Sequence, residues 1–146
     1  MAITSAICNS FKVEILTATH NFTASSGNTF NLALYTSSAT INKSTTAYSS
    51  SNEISNTSGS AYSAKGNALT SVTPVLSSDT AVCDFANSSW TSASFTARGC
   101  LIFNDSASGD PAVCAIDFGG DKTVTSGTFT IEFPAASAGS AIIGIA

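Results

Sequence analysis

"SFTARGCLIFNDSASGDPAVCAIDF", residues 94–118, is the stretch whose reading decides the fold. Two runs rich in Phe, Ile, Leu, Val and Cys flank a cluster of Asn, Asp, Ser, Gly and Pro. Aromatic and β-branched side chains suit a pleated surface, and the polar cluster between them suits a turn. The same alternation repeats on either side, in "ALTSVTPVLS" (68–77), "TAVCDFANSSW" (80–90), "GTFTIEFP" (127–134) and "AIIGIA" (141–146). Turn signals separate these runs at 77–79, 87–89, 104–111, 119–121 and 126–127.

Upstream, "NTFNLALYTS" (28–37) sets Phe30, Leu32 and Leu34 in period-two alternation with Asn31, Ala33 and Tyr35. With this strand the count reaches about seven, and short strands at such spacing predict a mainly β domain, a β-sandwich or jelly-roll-like fold. Pro74 lacks an N–H and belongs at a bulge or a sheet edge. The expected core is Phe30, Leu32, Leu34, Val82, Leu101, Phe103, Val113, Ile116, Phe129, Ile131 and Phe133, lying between two sheets.

Two regions differ from this pattern. Residues 1–22 read as an N-terminal helix, because Ile3, Ile7, Phe11 and Ile15 recur every fourth residue from 3 to about 19. A helix so short must dock on its own sheet or reach a neighbouring subunit as an arm. Residues 37–66, "SSATINKSTTAYSSSNEISNTSGSAYSAKG", are dominated by hydroxyls. Loops longer than about 15 residues are uncommon in compact domains unless they have a role. The spaced Ile41, Tyr48, Ile54 and Tyr62 argue against a floppy linker. They point to an extended surface excursion presented to a partner, with Ile41, Tyr48, Ile54, Tyr62 and Phe11 as the expected partner-contact side chains. Residues 67–146 complete the β-rich part of a single domain spanning 1–146.

Composition narrows the function classes. Ser and Thr supply 45 of 146 residues and charged residues only 10%, with a net charge of −4. That leaves no basic footprint for nucleic acid, so no nucleic-acid partner is expected. No apolar run approaches the roughly 18 residues of a membrane span, so no membrane partner is expected either. The opening segment has neither a basic nor an apolar leader region, so no secretory signal is expected. The five Asn-x-Ser/Thr triplets then read as by-products of composition. Cys8, Cys83, Cys100 and Cys114 show no CxxC spacing and read as small reduced hydrophobes, with a bridge among the last three as the alternative.

The chemical motifs dissolve on inspection. "DFGGDK" (117–122) lacks every other element of a kinase and reads as a strand end followed by a turn. Asp105 and Asp110 lack the spacing of a calcium loop. His20 is the sole histidine, with no nucleophile motif beside it. Asp84 and Asp117 each precede a Phe near a strand end, and Arg98 is expected in a structural ion pair with a carboxylate. No catalytic residue, metal site or cofactor is expected, and the chain is not read as an enzyme.

The blocks "MAITSAICNSFKVEIL", "HNFTASSGNTFNLALYTSSAT", "LTSVTPVLS", "DFANSSW", "TARGCLIFND", "DFGGDKTVTSGTFTIEFP" and "AIIGIA" carry a resemblance in their order. The chain resembles small virion structural proteins of tailed bacteriophages, of cyanophage and marine phage type. It departs from them in "NEISNTSGSAYSAKG", where a tighter Gly-rich turn is expected, and at Gly144, where a basic residue is expected. The resemblance implies a capsid decoration (cement) protein, made in the host cytoplasm and placed on the capsid surface of the virion. Its implied partners are the major capsid protein or other virion subunits, and homo-oligomers are implied. A tail or neck (connector) component is the alternative. A host-surface binding module is a second, using Trp90, Tyr35, Tyr48 and Tyr62 as its aromatics.

Overall fold

In the computed structural model, which describes residues 2–146, the chain is mainly β, built from two antiparallel sheets and one short helix. The larger sheet contains β1 (Ala6–Ile7), β2 (Phe30–Tyr35), β3 (Asn67–Ala68), β6 (Ser88–Asn104) and β7 (Ala112–Ile131), in the order β1-β7-β6-β2-β3. The smaller contains β4 (Ser71–Ser77), β5 (Thr80–Phe85) and β8 (Ile143–Ile145), in the order β4-β5-β8. The arrangement is sandwich-like. It has eight strands rather than about seven: the N-terminal segment and residues 67–68 each add a two-residue strand, while the expected strands before 120 and after 127 are joined in β7.

The decisive stretch forms the centre of the larger sheet. β6 and β7 are 17 and 20 residues long and make one antiparallel hairpin around the turn at 105–111. Here the expected chain reversals fail. The signals at 119–121 and 126–127 lie inside β7, as bulges. Between the pairs Ala97↔Lys122 and Gly99↔Asp117, β6 advances two residues and β7 five. Gly119, at φ +77°, absorbs that excess in a conformation open to a residue without Cβ. Ser126 (φ +46°) and Ser92 (φ +51°) sit at two of the three other register shifts, the third falling between Ile102 and Phe103. Some turns and some bulges use the same left-handed backbone, so the residues that signal one also signal the other. Likewise 87–89 is the lead into β6, which assigns Trp90 to β6 and not to β5.

The core follows from this hairpin. Phe30, Leu32, Leu34, Leu101, Phe103 and Val113 are all fully buried. Phe22 stacks on Phe30 at 4.2 Å and 3° between planes. Val82 is also buried. Ile116, Phe129, Ile131 and Phe133 are only half-buried, which corrects the expected core. They lie at or beyond the part of the hairpin where β1 and β2 flank it, since β2 pairs only with Gly99–Asn104 and β1 only with Cys114 and Ala115. Pro74 does stand on an edge strand at a bulge, the shift falling between Val72 and Val75.

The N-terminal helix is shorter than expected. Helix α1 spans Asn9–Leu16, eight residues instead of the segment 3–19 or 1–22. Ala6 and Ile7 pair with Ala115 and Cys114, extended Cys8 donates its N–H to the Val113 carbonyl, and Ile3 bridges Ile41 in parallel. The sheet offers these residues backbone partners that an uncapped helix turn does not. The fourfold spacing of Ile3, Ile7, Phe11 and Ile15 thus spans two kinds of structure. Its anchor is Phe11, buried at 3% exposure. Val13 and Leu16, at 65% and 86% exposure, face outward.

Candidate functional site

Residues 37–66 are threaded across the larger sheet, and a single carboxylate organises them. Glu53 Oε2 accepts from the Tyr48 hydroxyl at 2.6 Å; its Oε1 accepts from the Tyr62 hydroxyl and the Lys65 N–H, both at 2.7 Å. Tyr62 Oη in turn accepts from the Leu34 N–H at 2.9 Å, tying the segment to β2. Isolated bridges Ile3↔Ile41, Tyr35↔Glu53 and Ala47↔Pro111 fasten it at three further points. Burial, with Glu53 beside it, pushes the Tyr48 hydroxyl up to about 12 and the Tyr62 hydroxyl higher still. Both phenols are donors to the carboxylate, which is the protonation state these bonds require.

The expected partner-contact side chains are therefore corrected. Ile41 and Ile54 are 6% exposed, Tyr62 1% and Phe11 3%, all within this chain's own core. Tyr48 is half-buried and stacks on Phe103 at 4.7 Å. The apolar spacing that signalled order was right about order. The surface it covers is the chain's own sheet, because β2 and β6 leave an apolar face that nothing else in the fold reaches. The aromatics of a host-binding module are placed inside in the same way: Trp90 and Tyr35 are 4% and 1% exposed.

The charged groups are occupied in structural pairs. Lys65 Nζ sits between Asp105 Oδ1 at 2.6 Å and Asp110 Oδ2 at 2.8 Å, and lies 5.6 Å from the centroid of the Tyr48 ring. The Asp105–Asp110 turn is thus filled by an ammonium, and both carboxylates raise the Lys65 pKa. Arg98 Nε pairs with Asp117 Oδ1 at 2.9 Å, as expected of the only arginine, and the guanidinium holds the Asp117 carboxyl below its usual range. Among the described residues no three His, Cys, Asp or Glu side chains converge as a metal site.

His20 is enclosed, its side chain 0% exposed. Asn104 Oδ1 accepts from the Ser106 and Ala107 N–H groups, which fixes that amide and turns its Nδ2 toward His20 Nδ1 at 3.2 Å. His20 Nδ1 is then the acceptor, and Nε2 carries the proton donated to Glu14 Oε2 at 2.7 Å. A histidine so placed ties α1 to the hairpin turn and reaches no solvent. The four thiols are unpaired; Cys8, Cys100 and Cys114 are buried and Cys83 half-buried. Burial pushes Cys8 and Cys83 up to about 11 and Cys114 up to about 12.

What the sequence reading missed is the open apolar face of the smaller sheet. Val72, Val75, Leu76 and Ile145 are 45%, 55%, 72% and 54% exposed. Leu76 pairs with Ala81 and Ala81 with Ile145, so these three form one cross-strand row on one face. Two residues along, Cys83 and Ile143 continue that face into the core. The only advance signal was the absence of charge from 67–78 and from 133–146. Elsewhere, an open cleft of about 230 Å³ over Tyr35 and Leu101 is walled by Ser38, Thr40, Thr45, Ser49 and Ser51 and contains no charged side chain. Comparison with protein-family models, curated proteins and solved structures finds no match to this chain.

Proposed function

We propose that the chain is a structural subunit that acts by surface contact, and that its setting is a tailed-phage particle in which it serves as a capsid decoration protein. The observation that carries the contact reading is the exposed apolar row of the smaller sheet, Leu76, Ala81 and Ile145 on one face of a charge-poor surface, with Val72 and Val75 exposed on the opposite face. Scattered exposed hydrophobics are ordinary, whereas a contiguous strip on a sheet marks a docking face. The phage setting rests on the sequence resemblance. The partners on this reading are the major capsid protein or neighbouring virion subunits.

The surface chemistry suits such a role. Neutral hydroxyls hydrogen-bond to backbone and water without the desolvation cost of burying charge. A stable clamp buries on the order of 800 Å² per partner, so the apolar row would act together with the hydroxyl-rich surface around it. The contact surface proposed is thus the smaller sheet, in place of the inward-facing side chains of residues 37–66.

Locating the chain in a reconstructed particle tests the setting. Density for this fold on the outer capsid surface, with its smaller sheet against the shell, is the expected result. A six-fold or twelve-fold ring at the portal or along the tail would assign it to the neck or tail instead.

A further inference from the structure

We propose that His20 is an acid-sensitive latch: a second proton on its ring, at Nδ1, frees α1 from the hairpin turn while the two sheets stay folded. The lock lies at Asn104, which is fully buried. Its Oδ1 accepts from the Ser106 and Ala107 N–H groups at 3.0 and 3.2 Å. Its Nδ2 faces the Thr19 carbonyl at 3.3 Å, Asn28 Oδ1 at 3.1 Å and His20 Nδ1 at 3.2 Å. Asn28 Oδ1 is itself held by the Asn21 N–H at 2.7 Å. Turning the Asn104 amide over would set its NH2 against two N–H groups and its oxygen against two oxygens. The ring's Nδ1 must therefore stay bare, because a proton there would point at an amino group that has nowhere to turn.

The surroundings offer an imidazolium little help. Phe11, Phe22 and Phe30 enclose the ring, at centroid distances of 4.9, 6.4 and 6.1 Å, and burial among them disfavours charge. Of the titratable groups facing it, α1 brings Glu14, whose Oε2 at 2.7 Å attracts a charged ring. The neutral ring already makes that bond, and the carboxylate is 25% exposed, so water screens much of what a full charge would add. Cys8, just before α1, has its thiol pushed up to about 11 by burial and by Glu14, and is uncharged in acid. From the turn, Asp105 is committed to Lys65 at 2.6 Å. β2 and residues 21–28 present Phe30, Phe22 and Asn28, none of which titrates. An opened state thus binds one proton more than the closed one, and stability of the closed state falls as pH falls. α1 is the part that gives way, being eight residues long with no side-chain N-cap and with Phe11 as its one buried residue. Its release uncovers Phe11 and Phe22, an apolar surface available only in acid and separate from the smaller sheet.

His20 is the chain's only histidine, so its ring nitrogens give one unambiguous NMR signature. The isotope-labelled full chain is acidified from about pH 8 through the range where free imidazole takes up its proton, and on until the sheets unfold. Expected is a neutral ring, protonated at Nε2 alone, for as long as the amides of Asn9–Leu16 keep their native shifts. The imidazolium signal and the loss of those shifts then share one midpoint, with the amides of β2 still native. His20→Gln should hold α1 closed through that midpoint, because glutamine accepts from Asn104 through Oε1 and donates to Glu14 through Nε2 without taking up a proton. An imidazolium signal in a chain whose α1 is still native overturns the proposal. So does a His20→Gln chain that opens at the wild-type midpoint, or a wild type in which α1 and both sheets unfold together. If His20→Gln does not fold, the wild-type spectra decide alone, since two of these outcomes are read from them.

Discussion

The larger and smaller sheets are built from the same residue types and treat them oppositely. In the larger sheet every residue of β2 is buried, the outermost strands are two residues long, and residues 37–66 are folded over the face. In the smaller sheet no residue of β4 is buried and four of its seven are exposed, and Leu76 and Ile145 project from the open end of their face. "FNLALY" is the more apolar strand, yet "SVTPVLS" still carries Val72, Val75 and Leu76. What separates them is position: one strand is flanked and roofed, the other is an edge. An apolar surface left open in a chain that roofs the centre of its other sheet is the place to look for contact.

The contrast breaks most visibly in the larger sheet. Phe30→Ala removes a ring that is 0% exposed, stacked on Phe22 and tilted against Phe85, and should cost about 3–5 kcal/mol in urea unfolding. A loss below about 1 kcal/mol would show that this core is not packed as described. High pH should act next, through the thiols. Their folded pKa values are raised above the ordinary 9.0, to about 11 for Cys8 and about 12 for Cys114. A raised value gives stability that is complete below pH 9 and is lost as pH climbs through the folded value, by about 1.4 kcal/mol per pH unit for each thiol. Denaturant midpoints flat from pH 8 to 11 would contradict the burial of these cysteines.

Tyr62→Phe isolates the roof. It deletes the hydroxyl shared by Glu53 and the Leu34 N–H and should cost about 1–3 kcal/mol, since both partners are left under-bonded away from solvent. An unchanged melting curve would mean that residues 37–66 lie on the sheet without being fastened to it. In the smaller sheet Leu76→Ala should change stability by no more than about 0.5 kcal/mol, because the side chain is already 72% exposed.

Much of this architecture was legible in the residues. The mainly β class, the strand 30–35, the hairpin turn at 104–111, the edge position of Pro74 and the Arg98 ion pair follow from alternation, turn chemistry and charge. Gly119 and Ser126 misled because positive φ serves a bulge as well as a reversal, and only the strand across the ladder tells which. Ile3 and Ile7 misled because a fourfold spacing over so few residues is also met by a bridge and a short strand. The spacing of Ile41, Tyr48, Ile54 and Tyr62 announced side chains that need cover. Periodicity is silent on whether that cover is another subunit or the same chain, so the destination had to come from the fold. The open row of the smaller sheet was hidden for the converse reason: Leu76, Ala81 and Ile145 are far apart in sequence and become one surface through pairing.

Leu76→Lys, measured twice on the same preparation, bears most directly on the claim that the smaller sheet is the contact face. Its melting temperature should equal that of the wild type, because the residue contributes little to the fold. Its occupancy on expanded capsids lacking the native protein should fall sharply, because a lysine in the row places an unpaired charge in an apolar contact. Full occupancy at unchanged stability would contradict the account and move the contact surface off the smaller sheet.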